Sequence, residues 1–425
     1  TARQGMADDD RAVRYTDTVL VDDHQHVHRG DVLLHPDGSW SEARGDEDVR
    51  ETIDGKDRLL TRSLQNWHTH LAMQLNARDF SDGYPLHQWL DEAIFPTEAR
   101  LNPDYVRTGA RAAAAEMLKT GTTFAADMYF FPEVTGGVLD AAGLRGLIGG
   151  PISDRALPSH DDAAAALRDL EGLLAGNEEQ ERIQYAIAAH SVYLCSDETL
   201  QQAVDVGERH NARIHIHASE TRKEVADCHA RTGRYPVEHL QHLGVLKPGT
   251  VLAHASWVKK REIQMMAEAE VTAVHCPSSN MKLACGGTLS MPPYMHAGVD
   301  VRLGTDGAAS SGSGLNLLAE ARLASLVQRH DHWDATMMTA ADTFRLATKG
   351  STDWVAWNLD DIRMQPRGRS DNRHLANLVY NGTDCLDVWV EGRALRRDGV
   401  SLSVDERAAG EALNLAVQSY YEDVE

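Results

Sequence analysis

The sequence predicts an α/β protein: a (β/α)8 barrel joined to a small β-sandwich domain assembled from both chain ends. Three observations carry that reading. Between about residues 63 and 330, a short apolar, β-branched run, a turn and a longer stretch of helical periodicity follow one another repeatedly. Eight such units occur in roughly 270 residues, the length an eightfold barrel needs. On either side the pattern changes to short alternating runs separated by Gly and Asp-Gly turns. A doubly wound open sheet shares the first signature and is the competing arrangement.

Taken in order, residues 11–62 hold runs such as Thr18-Val19-Leu20-Val21 and Val32-Leu33-Leu34, read as strands of the flanking domain. Barrel strands are expected to end near His70, Asp127, Gly150, His190, His217, His254, His275 and Asp306. The Ala-rich or amphipathic segments 104–119, 161–174, 197–208 and 315–328 read as helices, several opened by a capping Asp, Ser or Asn. Further on, 375–380 and 386–391 read as strands, before a closing helix from about 404 to 421. The expected division is 1–62 with 368–425 as the composite β-sandwich domain and 63–367 as the barrel.

Of 425 residues, 64 are acidic and 42 basic, a formal net charge of -22, and the basic residues are 34 Arg against eight Lys. Binding nucleic acid requires clustered cations to neutralise phosphates; none are visible, so no nucleic-acid partner is expected. With 42% hydrophobic and 25% charged residues, the chain has enough apolar surface for a large core. Cys195, Cys228, Cys276, Cys285 and Cys385 form no CxxC pair and are odd in number, which argues against a disulfide framework or thiolate metal site and for a reducing compartment. No apolar run of about 18 residues is present, so no membrane span is expected. The first ten residues are acidic and lack the apolar segment of a secretory signal, Met6 is a candidate start, and a cytoplasmic location is expected.

Chemistry-bearing residues gather at the expected strand ends. In His68-Thr69-His70, residues i and i+2 share a strand face, so both imidazoles aim into the barrel mouth. His217 with Glu220, His254, and Asp306 end three further strands. Buried imidazoles and carboxylates are costly unless paired or metal-bound, so convergence of four such ends points to a divalent ion. Three imidazoles and one carboxylate suit Zn2+, with Fe2+ close behind. A catalytic zinc keeps a position for water and lowers its pKa to about 7. Attack on an sp2 carbon bearing a leaving nitrogen then needs a proton donor, for which Glu220 is placed, and a base, which Asp306 and His254 share.

Together with Pro277-Ser278-Ser279-Asn280-Met281-Lys282-Leu283 and Leu303-Gly304-Thr305-Asp306-Gly307-Ala308-Ala309-Ser310, these motifs resemble the amidohydrolase superfamily, with its TIM-like metal-dependent hydrolase barrel. More narrowly they resemble its 5'-methylthioadenosine/S-adenosylhomocysteine deaminase branch, over roughly residues 60 to 345. The resemblance implies one zinc per chain, held by His68, His70, His217 and Asp306, with Glu220 as proton donor and His254 on the hydrolytic water. It also assigns Glu98, in Phe95-Pro96-Thr97-Glu98, to the ribose hydroxyls, and His190, at the head of His190-Ser191-Val192-Tyr193, to the nucleoside. Asp127-Met128-Tyr129-Phe130 matches a stretch near the pocket. The implied activity is hydrolytic deamination of an adenine nucleoside (5'-methylthioadenosine, S-adenosylhomocysteine or adenosine) to the inosine analogue and ammonia. The alternative is another heterocycle, of the triazine chlorohydrolase or aminohydrolase, guanine deaminase or cytosine deaminase type. Such barrels commonly form dimers or tetramers, so a homo-oligomer is expected.

Some features depart from the branch or compete with it. Some members carry an Arg after the third barrel strand that serves a carboxylated substrate; here Leu147 to Pro151 stand there, with Arg155 only nearby. The stretch Lys349 to Asp353 is shorter than the usual glycine-rich return. Trp67 is expected to pack away from the metal. His24, His26 and His28 alternate on one strand without a carboxylate partner and read as non-functional. His239 and His242 form no HExxH motif and read as a solvated helix face. His215 reads as core packing rather than support for the site, Cys276 lacks a base that would make it a nucleophile, and Gly312-Ser313-Gly314 lacks the third glycine of a dinucleotide loop.

The site claims only Asp306, Glu220 and Glu98 among the acidic residues, which leaves the excess for the surface. An Arg-rich, strongly anionic surface is favoured in concentrated salt, where self-repulsion is screened. A halophilic enzyme is therefore expected, with a higher melting temperature in molar KCl than in dilute buffer. Equal or greater stability in dilute buffer, followed by circular dichroism, would refute that expectation.

Overall fold

The computed structural model describes residues 10–76, 80–178, 181–312, 314–367 and 372–422. Met6, Ser313 and the boundary expected at 368 lie outside the described residues. Five strands open the chain: β1 (Val13–Val21), β2 (Val27–Leu34), β3 (Trp40–Glu42), β4 (Glu51–Asp54) and β5 (Arg58–Arg62). Eight follow with helices between them: β6 (Leu64–Thr69), β7 (Thr122–Met128), β8 (Arg145–Ile152), β9 (Ile183–Ala189), β10 (Ile214–Ala218), β11 (Val251–His254), β12 (Thr272–His275) and β13 (Asp300–Leu303). The last four are β14 (Trp354–Asn358), β15 (Cys385–Val390), β16 (Arg393–Arg397) and β17 (Val400–Ser401).

Strands β6 to β13 pair in sequence order with every neighbour parallel, as a (β/α)8 barrel requires. The ring closes where β13 returns to β6, and side chains take over from the ladder there. Thr305 N donates to Asn66 Oδ1 at 3.0 Å, Asn66 Nδ2 donates to Thr305 Oγ1 at 2.8 Å, and Asp306 N donates to the His68 carbonyl at 2.9 Å. Inside the ring, Ala126, Leu147, Ala186, Val251, Val274 and Cys276 form a core of mostly small side chains. Trp67 packs on it, 4.8 Å from the Phe124 ring and covered by the Arg302 guanidinium.

The surrounding helices start and stop for local reasons. Helix Pro103–Lys119 begins with Pro at N1 behind Asn102, whose side chain accepts from the amides of Asp104 and Tyr105. Its buried stripe is Val106, Gly109, Ala110, Ala113, Ala114, Met117 and Leu118, small enough to lie close against the turn Leu71–Leu75 that follows β6. Ser196 and Asn316 cap the helices Asp197–His210 and Leu317–His332 in the same manner.

The other strands form one nine-stranded sheet from both chain ends, antiparallel except where β1 meets β4 and β5. Its ends are joined by β5 and β14, paired antiparallel from Arg62 opposite Trp354 to Arg58 opposite Asn358. That pairing places β14 in the terminal sheet, upstream of the division expected at 368. Residues 349–353 make the crossing from helix Ala340–Thr348, and Asp353 anchors it by accepting from Arg145 at 2.9 and 3.0 Å. The segment 375–380 differs from expectation: it lies within the helix Asn372–Asn381, because Leu375, Leu378 and Val379 are buried at helical rather than alternating spacing. All five cysteines are free and buried. Among the described residues, no helix is long and apolar enough to cross a membrane.

Gly304 lets the seam close. A Cβ there would stand 2.8 Å from the Cβ and backbone nitrogen of His68 and 2.8 Å from Val274 Cγ1. Gly304→Ala is expected to destabilise the protein by ~1–3 kcal/mol through overpacking. A wild-type thermal melt in that variant would show that the seam has slack.

Candidate active site

The seam determines the site. Asp306 follows β13 with φ +62°, and its amide is held by the carbonyl of His68, so its carboxylate arrives beside the imidazoles of β6. Oδ1 accepts from Gly307 N at 2.7 Å and Oδ2 from Ser279 Oγ at 2.6 Å. Oδ1 also lies 3.1 Å from His70 Nε2 and 3.5 Å from His68 Nε2. His217, on β10, brings its Nε2 within 3.4 Å of His70 Nε2. His254 ends β11 with φ +74°, a sparsely populated conformation for a non-glycine residue and one typical of functional strand ends.

These groups fit a metal ion. Ligand atoms of His68, His70 and His217 lie within 4.8 Å of one another, as do those of His68, His254 and Asp306. His68 Nε2 is fully buried and makes no hydrogen bond. His70 Nδ1 donates to the Met128 carbonyl at 2.5 Å, and His217 Nδ1 donates to the His190 carbonyl at 2.7 Å. A carbonyl only accepts, so in the neutral rings both Nε2 lone pairs face the cluster. Burial pushes His217 well below the ordinary imidazole range and His254 down to about 3, holding both neutral. Burial also opposes charge on His70, but the Asp306 carboxylate beside it raises it to about 9, so an ion binding there displaces the Nε2 proton. Burial likewise opposes ionisation of Asp306, but His68 and His70 outweigh it and hold the carboxyl well below its usual range. Imidazole ligands and an ionised carboxylate make a donor set suited to zinc.

Glu220 has the opposite environment. Burial, then the charges of Asp306 and Glu224, hold its carboxyl well above the carboxylate range and so favour its protonated form. Glu224 fixes the bend that presents it, accepting from Ser219 N at 3.0 Å and Glu220 N at 2.7 Å. Glu220 Oε1 lies 3.5 Å from His254 Nε2, which is itself 3.8 Å from Asp306 Oδ2. The Asn280 amide donates to His254 Nδ1 at 3.1 Å, so the neutral ring carries its proton on Nε2, facing those carboxyls.

The cluster opens into a cavity of about 510 Å3, within the range of small-molecule sites. Leu86, Trp89, Phe95, Phe130 and Leu194 form much of its apolar wall. Glu98 lines it from the short helix Phe95–Glu98, which continues a π-helical turn at Leu90–Ile94. Burial raises the Glu98 carboxyl to about 7, against the pull of Tyr129, His70 and Arg155. His190 lines the same cavity, its Nδ1 3.0 Å from Ser191 Oγ. Met128 and Tyr129 line it too. Arg155, three residues beyond β8, also lines it, with its guanidinium 4.1 Å from the Phe95 ring.

All the residues singled out for metal, proton transfer and substrate therefore border one cavity, apart from His68, which is buried beneath it. Several supporting residues escaped the sequence. Ser279 and Asn280 were legible as a motif but not as partners of Asp306 and His254, and Glu224 gave no signal. His215, read as core packing, has its Nε2 3.0 Å from His68 Nδ1. His28 does have a carboxylate partner, Asp22 Oδ2 at 2.9 Å, formed by the bend before β2. His239 is buried rather than solvated, 2.7 Å from Oδ1 of Asp197, the first residue of the helix Asp197–His210. Burial holds the Cys276 thiol well above its usual range, which removes it as a nucleophile.

Comparison with known proteins agrees with this geometry. The amidohydrolase family model matches residues 60–359. The chain is 37% identical over 403 residues to the 5'-deoxyadenosine deaminase of Methanothermobacter thermautotrophicus, covering 90% of this chain and 92% of the relative. It is 36% identical over 395 residues to the 5-methylthioadenosine/S-adenosylhomocysteine deaminase of Thermococcus kodakarensis, covering 89% and 92%. The crystal structure of an adenosine deaminase from Xanthomonas campestris with bound zinc superposes with a TM-score of 0.89 at 27% identity, over 96% of this chain and 98% of that one. Elemental analysis of the purified protein is expected to find about one divalent ion per chain. Asp306→Asn and His217→Ala should carry far less while keeping the wild-type circular dichroism; full occupancy in both would show that these groups do not hold the ion.

Proposed function

The chain belongs to the amidohydrolase family and is a hydrolase acting on C–N bonds; from that premise we propose that it deaminates an adenine nucleoside at C6, with zinc as its resident metal. The observation that carries this reading is one cavity holding a metal-competent cluster and two further buried carboxyls, Glu220 and Glu98. His68, His70, His217 and Asp306 would hold the zinc, which when bound supplies the Lewis acidity that brings water to a pKa of about 7.

The chain's own residues do the rest. As water adds to C6 of the purine, the Glu220 carboxyl delivers its proton to N1. Asp306 takes the proton that the water gives up, and His254 hydrogen-bonds the entering oxygen through Nε2–H. Asp306 passes that proton on to the exocyclic nitrogen, the C6–N bond breaks and ammonia leaves, and the hydroxyl proton returns to Glu220 as C6–O becomes the carbonyl of the inosine analogue, so one water is consumed for each ammonia formed. Glu98, when ionised, accepts two charge-assisted hydrogen bonds from the ribose hydroxyls, and His190 contacts the nucleoside.

5'-Methylthioadenosine, 5'-deoxyadenosine, S-adenosylhomocysteine and adenosine are the candidate substrates. The apolar wall suits a 5' substituent without charge, while Arg155 lies in the same cavity and offers a cation to a carboxylated tail, so S-adenosylhomocysteine stays among them. A triazine or a free base has no hydroxyl pair that would call for Glu98, which weighs against the heterocycle alternative.

An ammonia-release panel over these nucleosides, guanine and cytosine tests the reading. Activity is expected on adenine nucleosides and a loss of about 10²–10⁴ in kcat in Glu220→Gln with zinc retained; robust turnover in that variant would refute the role of Glu220. Because burial places Glu98 near 7, its ionised form gains as pH rises through that value, and KM for the nucleoside should fall over the same interval. Glu98→Ala should raise KM and flatten the profile, and an unchanged KM would remove ribose recognition from the assignment.

A further inference from the structure

Among the three imidazoles of the proposed zinc group, His68 is held from behind in a different way. His70 and His217 each donate Nδ1–H to a backbone carbonyl, which fixes their tautomers. His68 Nδ1 instead meets another ring, His215 Nε2, at 3.0 Å, and both residues are fully buried. Two neutral imidazoles share one hydrogen bond in either of two senses. If His215 donates, the His68 proton sits on Nε2, where it blocks ligation and points toward Asp306 Oδ1 at 3.5 Å. If His68 donates, its Nε2 lone pair faces the cluster, and the one N–H proton of neutral His215 sits on a buried Nδ1 without a partner.

We infer that His215 is a positioning residue: it accepts the Nδ1 proton of His68 and so holds the tautomer in which His68 Nε2 binds the metal. The inference rests on the zinc reading above. His215 and His217 are two apart on β10, on one face, so a single strand supplies one ligand and the orienting partner of another across the ring. Ligating histidines are commonly oriented by carboxylates, carbonyls or water. A neutral ring in that place leaves Asp306 as the single anion of the ligand group, whereas a carboxylate would add charge to it.

The test is zinc affinity of the purified full chain, by competition with a chromogenic chelator, for wild type, His215→Leu and His215→Gln. Leu fills the space without an acceptor; Gln restores a carbonyl acceptor. Leu is expected to weaken zinc about 10–100-fold, as outer partners of metal ligands do, and Gln to recover most of that loss. Metal-free melting temperatures, measured separately, report any packing role. Zinc affinity within about twofold of wild type in His215→Leu, or no recovery in a normally folded His215→Gln, would overturn the inference. Nitrogen-15 chemical shifts of His68 in metal-free wild type provide a measurement that needs no variant: a protonated Nδ1 supports the assignment and a bare Nδ1 overturns it. A wild-type chain without zinc affinity would overturn the metal reading as well, an outcome distinct from wild-type binding that survives in His215→Leu.

Discussion

A parallel ring of eight strands must bring its last strand back to its first, and that closure governs this molecule. Here it is made by a side-chain amide, a threonine and one backbone bond, between residues that also carry the chemistry. Asn66 and Thr305 lock the strands in register, Gly304 lets them approach, and the amide of Asp306 is bound by the carbonyl of His68. The carboxylate thus reaches the imidazoles as a result of closing the fold. Positive φ at His254 and Asp306 is the strain of bending the chain inward at the strand ends, at a cost of about 1–3 kcal/mol each.

Once that geometry exists, low dielectric and neighbouring charge divide the acidic groups among different tasks. Asp306, beside two imidazoles, is driven to ionise; Glu220, beside Asp306 and Glu224, is driven to keep its proton. Two carboxyls in one enclosure thereby take opposite protonation states, the condition for an acid and a base to act at one pH. Glu224 serves by accepting the amides that bend the chain. Few of the chain's acidic groups take part; others, such as Asp353 and Asp387, are buried elsewhere as structural anchors.

Much of this was legible in the sequence because it is periodic. Strand ends carrying His or Asp in seven of eight repeats cannot be read as a random polar pattern, and the helices announce themselves by caps such as Asn102 and Ser196. What escaped was whatever depends on a partner distant in the chain. Leu375, Leu378 and Val379 fit two periods over so short a window, and only burial against the barrel side selected the helix. His239 looked solvated because Asp197, 42 residues away, is invisible to local spacing. His215 is the sharpest case: its alternation with His217 was plain, but its role depends on His68, 147 residues earlier, arriving on the opposite strand. Arg155 was set aside because Leu147 to Pro151 stand where some members of the branch carry an Arg, yet the chain beyond β8 brings Arg155 to the cavity.

The pairing of β5 with β14 also orders events in time. Tyr15 donates to Asp387 across 372 residues, and Trp389 donates to Tyr15, so these contacts, like the β5–β14 pairing, form only after the distant β14 and β15 have been made. Contacts of that span carry the full entropy of a long loop closure and lag behind the local βα units. During synthesis, β1 to β5 emerge before the barrel and can pair among themselves, but the edge of β5 that takes β14 stays open while the barrel is made. The terminal sheet is thus the last part of the molecule to set, and until it does, those early strands are the region most exposed to pairing with a neighbouring chain.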